Sequence, residues 1–466
     1  MTLRTMALPP RMAVPTPPEP APAPDLLVLN GGLADAMGFP ADLRTVEVLT
    51  GAAPVPGASP VAAAYAGHQF GGFVPQLGDG RAHLIWEGGE GPDHWEVQLK
   101  GSGRTPFSRG GDGRAWLGPV LREYLVSEAM HALRVPTTRA LAASATGAEV
   151  LREAGPLPGA VLARAAPSFL RVGTFQYFAV RGDAEALRLL LRVGTERHHP
   201  DADGPSGFLR AVVAAQARLV ARWMSLGFIH GVMNTDNAHV GGLTIDYGPC
   251  AFMDAYHPAR VFSSIDRGGR YAYANQPGIA AWNCAQLATA LLPLEEDREG
   301  AIPAYQAAVD GFAPLYQAEW LRLFRAKLGL GAEEEGDLAL TEGLLTAMAE
   351  GRADFTNAFR GLAGGAARDA FDDPAPFDAW AGDWKERRRR DPLGPDEAAA
   401  LMRARSPSVI PRNHRIEQAI EAAAGGDLSP FRALHAALAD PYGPAPEGYD
   451  APPRPEEVVE ATFCGT

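Results

Sequence analysis

Between His230 and Gly248 the chain reads His-Gly-Val-Met-Asn-Thr-Asp-Asn-Ala-His-Val-Gly-Gly-Leu-Thr-Ile-Asp-Tyr-Gly. No other stretch constrains the fold as tightly. Asp236, Asn237 and Asp246 put three hard oxygen donors within eleven residues. Between them, the short apolar runs Ala238 to Val240 and Leu243 to Ile245 flank Gly241-Gly242, a pattern that predicts a small hairpin. A hairpin returns Asp246 to the side of Asn237. An amide and a carboxylate so paired hold Mg²⁺ and leave coordination sites for water and phosphate oxygens.

The spacing resembles that of protein kinases, in which a His-Arg-Asp-x-x-x-x-Asn loop precedes a hairpin and Asp-Phe-Gly. His230, Asn237 and Asp246-Tyr247-Gly248 take the corresponding places here. Val232 stands where a kinase carries its base Asp, and valine accepts no proton. The carboxylate nearby is Asp236, beside the metal Asn. The pattern therefore keeps the metal clamp and lacks the usual phosphotransfer base.

At 466 residues, with 46% hydrophobic and 21% charged content, the chain is long enough for two or three domains of a soluble globular protein. A net charge of −13 argues against nucleic acid as a partner, while leaving room for a locally basic nucleotide site. Three cysteines, Cys250, Cys284 and Cys464, do not make a disulfide scaffold and point to a reducing, cytoplasmic setting. No stretch reads as a membrane span or a signal peptide. Only three lysines occur, Lys100, Lys327 and Lys385, so each is a candidate for a role that arginine cannot fill.

In chain order, residues 1–24 carry eight prolines from Pro9 to Pro24 and read as a disordered tail. His68, in Gly67-His68-Gln69-Phe70-Gly71, is weighed as a histidine bonded within the fold rather than a catalytic one. Gly78-Asp79-Gly80-Arg81 is a glycine turn whose backbone can approach phosphate oxygens, although such turns are common. Trp95, Val97 and Leu99 alternate with polar residues in a strand that ends at Lys100, the place of the phosphate-pairing lysine in a kinase N-lobe. A glycine- and arginine-rich loop from Gly101 to Gly118 holds Asp112-Gly113. The helix from about Pro119 offers Glu123, with Glu128 competing, as the partner of Lys100. Arg164 and Arg171, seven apart, can face one polyanion, and Phe175 to Val180 reads as a strand. Helices are expected at 184–196, 207–226, 279–293 and 301–330, and residues 331–466 are mostly helical.

Taken together, Gly78-Asp79-Gly80-Arg81, Lys100-Gly101-Ser102-Gly103, Arg122-Glu123-Tyr124 and the Gly-Val-Met-Asn-Thr-Asp-Asn run resemble the selenoprotein O (YdiU) family. The resemblance implies an α+β, bilobal protein-kinase-like fold with a C-terminal helical extension. The N-lobe would span 25–185, the C-lobe 186–330 and the extension 331–466. It implies transfer of AMP from ATP to Ser, Thr or Tyr hydroxyls of proteins, with ATP flipped relative to kinases. By the same resemblance Lys100, Arg164 and Arg171 hold the β/γ-phosphate end. Gly78, Gly80, Arg81, Asp112 and Gly113 line the nucleotide, and Asp236 is the base. Asn237 and Asp246 hold Mg²⁺, with Mn²⁺ as the alternative, and the protein is expected to be a monomer. In some members the terminal cysteine pairs with one near the activation segment. Here that segment reads Val-Phe-Ser-Ser-Ile-Asp from Val261 to Asp266 and offers Cys464 no partner. Two other functions fit the sequence: a nucleotide-binding pseudokinase scaffold, favoured by Val232, and transfer of UMP by the same site.

Overall fold

The computed structural model describes residues 4–153 and 155–463. It mixes sheet and helix. The strands are β1 (Ala13–Pro15), β2 (Asp25–Leu29), β3 (Val61–Ala63), β4 (Gly67–Gln69), β5 (Gly72–Val74), β6 (Ala82–Gly88), β7 (Trp95–Lys100), β8 (Ala115–Trp116), β9 (Arg139–Arg152), β10 (Gly155–Ala166), β11 (Phe228–Ile229) and β12 (Ala251–Phe252). Eight of them form one antiparallel sheet in the order β1-β3-β6-β7-β10-β9-β2, with β8 against β10. The helices α1 (Gly31–Ala36), α2 (Val46–Thr50) and α3 (Leu117–Ala132) belong to the sheet half. The helical half opens with α4 (Val172–Ala179), α5 (Ala184–His198), α6 (Gly204–Ser225), α7 (Gln276–Leu291), α8 (Arg298–Asp310) and α9 (Phe312–Lys327). It closes with α10 (Asp337–Glu350), α11 (Phe355–Leu362), α12 (Ala375–Arg390), α13 (Pro395–Arg405), α14 (Asn413–Ala424) and α15 (Ser429–Leu438).

The period-2 pattern of β7 sorts its side chains onto two faces. Val97 and Leu99 are buried in a small core with Leu33, Phe39 and Leu49 from the segment of α1 and α2. Glu96, Gln98 and Lys100 point the other way, into polar contacts with the rest of the chain. Helix α3 packs on β9 and β10 and is gripped from behind by α14 and α15. Tyr124 meets Phe431 at 5.9 Å, and Arg122 donates to Asn413 Oδ1 at 3.1 Å and to the Cys250 carbonyl at 2.7 Å. The C-terminal helices therefore brace the helix that carries Glu123.

The structure departs from the sequence expectations in four places. The proline-rich segment is not a loose tail over its described part. β1 pairs with β3 at the sheet edge, a position that tolerates prolines because one row of backbone groups needs no ladder partner. Thr5 also docks on buried charge: its N–H donates to Glu87 at 2.7 Å, and its hydroxyl bonds Glu96. Glu87, His94 and Glu96 bring ligand atoms within 4.8 Å of one another, and the Arg197 guanidinium supplies their counter-charge. Second, Phe175 to Ala179 is helical rather than extended, and Val180 caps that helix. Val172, Phe175 and Phe178 are buried on one side of α4, a spacing of three that suits a helix. Third, the expected 301–330 helix is split at Gly311 into α8 and α9.

The fourth departure concerns the hairpin. Its two arms do not pair with each other. The first is held by Leu170 and Val172: Val172 N–H donates to Ala238 O at 2.8 Å and Val240 N–H to Leu170 O at 3.1 Å. The second is held by the 136–138 segment, where Thr138 N–H donates to Thr244 O at 3.0 Å and Thr244 N–H to Pro136 O at 2.9 Å. Arms of three residues make too few bonds to hold a ladder alone, and each takes its backbone partners from a neighbouring segment instead. The chain still reverses, closed by Gly242 N–H to His239 O at 3.0 Å, with Gly242 at φ +67°.

Candidate active site

Helix α6 buries Phe208, Val212, Val213, Leu219 and Val220 and delivers the chain through Gly227 into β11. The loop that follows is built around His230. Its Nε2 lies 2.9 Å from the Ile245 carbonyl and its ring stacks on Trp223 at 5.4 Å. Burial lowers its pKa, so a neutral ring that donates from Nε2 ties the loop to the strand before Asp246. His230 is thus a brace rather than a reacting group.

The eleven residues to which the resemblance gives a nucleotide, metal or base role line one cavity of about 940 Å³: Gly78, Gly80, Arg81, Lys100, Asp112, Gly113, Arg164, Arg171, Asp236, Asn237 and Asp246. At its centre is Asp246, at φ +62°, a left-handed conformation uncommon for a non-glycine residue. Lys100 Nζ and Arg164 Nη1 each reach its Oδ1 at 2.6 Å, and Arg171 Nη1 reaches Oδ2 at 2.7 Å. Burial alone would raise the pKa of this carboxyl. Lys100, Arg164 and Arg171 outweigh that and hold it well below the ordinary carboxylate range. Glu123 is the partner of Lys100, at 2.6 Å, and also meets Arg164 at 3.3 Å. Glu128 is engaged elsewhere, with Arg139 and Asn30.

Arg171 links the two ends of the reversal. The same Nη1 that holds Asp246 also donates to the Asp236 carbonyl at 2.8 Å. Asn237 donates its amide nitrogen to the Val232 carbonyl at 2.9 Å, which leaves its oxygen for a ligand. The side chain of Asp236 is buried; Gln69 Nε2 donates to Oδ2 at 3.2 Å, while Oδ1 is buried with no hydrogen-bond partner. Desolvation raises this carboxyl to about 6, well above the ordinary value of about 4 expected from sequence alone. A hard-oxygen set of Asn237 amide and Asp246 carboxylate, with an orphaned carboxylate oxygen on the adjacent residue, fits Mg²⁺ and the phosphate oxygens that accompany it.

The glycine turn lines the cavity and packs against Phe107. Gly78 lies at φ +93°, where a Cβ would strike the Phe107 ring at 2.3 Å. Asp112 pairs with Arg152 at 2.8 Å and caps the Arg114 N–H at 2.9 Å. His68 is bonded within the fold: its Nδ1 lies 2.8 Å from Gln176 Nε2.

Three participants escaped the sequence reading. Tyr65 lies under the Arg171 guanidinium at 4.6 Å. Gln98 accepts from Arg164 Nε and Nη2 at 2.9 and 2.7 Å. Gln69 holds Asp236. Only Gln98 left a trace in the sequence, on the polar side of the β7 alternation. The two thiols among the described residues, Cys250 and Cys284, are buried and pushed up to about 12 by desolvation, so neither is poised for exchange. Cys464 lies outside the described residues.

Residues 4–439 match the family model described as Protein adenylyltransferase SelO. Among named relatives, the protein nucleotidyltransferase YdiU of Ruegeria sp. (strain TM1040) is 57% identical over 455 residues, covering 96% of this chain and 95% of its own. That of Jannaschia sp. (strain CCS1) is 54% identical over 470 residues, covering 99% and 98%.

Proposed function

The chain belongs to the protein adenylyltransferase SelO family and is a nucleotidyltransferase; from that premise we propose that it moves AMP from ATP onto Ser, Thr or Tyr hydroxyls of proteins. In this reading the sheet half and the first helices of the helical half are the lobes of a kinase-like fold, and the cavity between β7, α3 and the 230–248 loop takes the nucleotide. One observation carries the proposal. The kinase base position is a valine, while the cavity holds a buried carboxylate, Asp236, with one oxygen unpartnered and a pKa raised to about 6. A base of that strength is ionised at neutral pH and accepts a hydroxyl proton.

Lys100, Arg164 and Arg171 exchange part of their contact with Asp246 for the β- and γ-phosphates, which turns the α-phosphorus toward Asp236. The acceptor oxygen forms a bond to that phosphorus as its proton passes to Asp236 Oδ1. The bond from the α-phosphorus to the bridging oxygen breaks, and pyrophosphate leaves with its charge met by the same three cations. Asn237 and Asp246 would hold Mg²⁺, or Mn²⁺, which supplies charge neutralisation on the phosphate oxygens. The substrates are proteins.

Incubation with ATP labelled at either the α or the γ phosphate tests this directly. Label on protein from the α position only, and lost in Asp236→Ala, is the expected result. Label from the γ position would replace the proposal with an ordinary kinase. A parallel incubation with α-labelled UTP separates AMP from UMP transfer.

A further inference from the structure

The hairpin of β4 and β5 turns through Phe70 at φ +51° and Gly71 at φ +86°. Both central residues of such a turn need positive φ, which favours Asn, Asp or Gly at the first. A phenylalanine there is strained, and a strained residue beside a site calls for an explanation. Its backbone is pinned: the Phe70 N–H is shared between Asn234 Oδ1 at 3.2 Å and the Tyr271 hydroxyl at 3.1 Å, and that hydroxyl donates to the same Asn234 oxygen at 2.5 Å. The ring itself does not serve the core. It is 38% exposed, lies 5.0 Å from the Tyr271 ring, and lines the cavity that holds Asp236.

Two neighbours explain the placement. One residue back, Gln69 holds Asp236, so Phe70 stands next to the group that would receive the acceptor proton. Ile265 lines the same cavity and is 55% exposed. Its neighbour Asp266 accepts the N–H groups of Arg270 and Tyr271 at 2.9 and 2.8 Å, which ties its segment to the ring that Phe70 touches. With Phe463, which is 72% exposed, three large apolar side chains are therefore exposed among the described residues of the cavity that holds the base, and only Phe70 and Ile265 are tied to the Asp236 side of it through Gln69 and Tyr271. The α-phosphate that would face Asp236 is charged and gains nothing from these apolar side chains. A polypeptide that presents a hydroxyl to Asp236 must lay its adjacent residues across this lip.

We propose that Phe70 and Ile265 form a lip that grips an extended segment of the protein substrate and selects an apolar side chain next to the acceptor hydroxyl. The lip rests on the AMP-transfer reading above and adds the class of sequence that reading leaves open.

The test begins with self-labelling of the wild type from α-labelled ATP. Its absence would sink the AMP-transfer reading. Peptides with one central Ser, flanked by Leu, Phe, Gly, Asp or Lys, are then compared with wild type, Phe70→Gly, Phe70→Trp and Ile265→Ser. The lip predicts that apolar flanks raise kcat/KM about tenfold through KM, the range that one apolar side chain gives in a pocket. Phe70→Gly should cut that preference to below about threefold, and glycine suits the positive φ, so folding is not at risk. Phe70→Trp should keep the preference, and Ile265→Ser, at an exposed position, should weaken it. Self-labelling with no peptide labelled, or with no flank preference, sinks the lip alone. So does a uniform loss of kcat in Phe70→Gly, which would make the residue a support for the Asn234 loop. A dimer in sedimentation that Phe70→Gly dissociates would make the lip a contact between copies, and would also overturn the proposal.

Discussion

Asp246→Asn probes the centre of the site with little change of shape. Asparagine tolerates the left-handed backbone at φ +62° as well as aspartate does, so strain is not added. What changes is charge. Lys100, Arg164 and Arg171 face Asp246 with side-chain exposures of 13%, 2% and 3%, and Asp246 itself is 19% exposed. Removing one partner of a buried ion pair costs about 3–5 kcal/mol, because the other charge is left uncompensated. Solvent access at Asp246, and the anion retained at Glu123, pull the loss to the low end, about 3 kcal/mol. Unfolding entropy of about 2 cal/mol/K per residue, over 466 residues, is about 1 kcal/mol/K. A cooperative transition would therefore fall by about 3 °C in differential scanning calorimetry. The same reasoning fixes the response to nucleotide. Metal-free ATP brings an anion to three under-neutralised cations, so it should raise the Tm of the variant more than that of the wild type. A variant as stable as wild type, or one with the smaller ATP shift, would refute the claim that Asp246 holds these cations in place.

Three further outcomes follow from individual contacts. A Cβ at Gly67 would lie 2.3 Å from Asp236 Oδ1, so Gly67→Ala should cost at least tenfold in kcat while nucleotide affinity, measured by calorimetric titration, holds within about twofold. As the proposed base Asp236 would act as the anion, and burial raises its pKa to about 6; kcat/KM should then be flat above pH 7 and fall about tenfold per pH unit below 6, and a profile flat to pH 5 would remove Asp236 as the base. Lys327, fully buried beside the Phe359 ring, is lowered by desolvation to about 7 from 10.5. The unfolded chain then binds more protons between about pH 7 and 10.5, so stability rises with pH across that window. At about 1.4 kcal/mol per pH unit the ceiling on that rise is about 5 kcal/mol, and Lys327→Met should remove the slope in denaturant titrations and raise stability at pH 7.

What could be read from the sequence was what short spacing encodes. Lys100 ends a strand whose alternation separates Val97 and Leu99 from Gln98 and Lys100, and the pleat delivers that separation whatever lies around it. Asp236, Asn237 and Asp246 sit close in the chain, and a reversal between them sets all three on one cavity. The hairpin expected to make that reversal did not form as a ladder, because Pro136 to Thr138 and Leu170 to Val172 supply the partners, and no local pattern announces them. Glu123 could not be told from Glu128 until α3 was oriented by α14 and α15, nearly three hundred residues on. Gln69 and Phe70 meet Asp236 and Tyr271 across separations of 167 and 201 residues, and their own neighbourhood reads only as a glycine turn. The docking of Thr5 on Glu87 and Glu96 was hidden for the same reason. Proline content is a local property, whereas the buried charges that receive the segment are not. The raised pKa of Asp236 depends on burial, which spacing does not report.

The direction in which ATP lies is the point on which the proposed chemistry turns. A crystal structure with Mg²⁺ and a non-hydrolysable ATP analogue measures it. The account predicts the α-phosphorus toward Asp236 Oδ1, the β- and γ-phosphates on Lys100, Arg164 and Arg171, and metal between Asn237 and Asp246. A γ-phosphate toward Asp236, with the α-phosphate buried against Lys100, would contradict it.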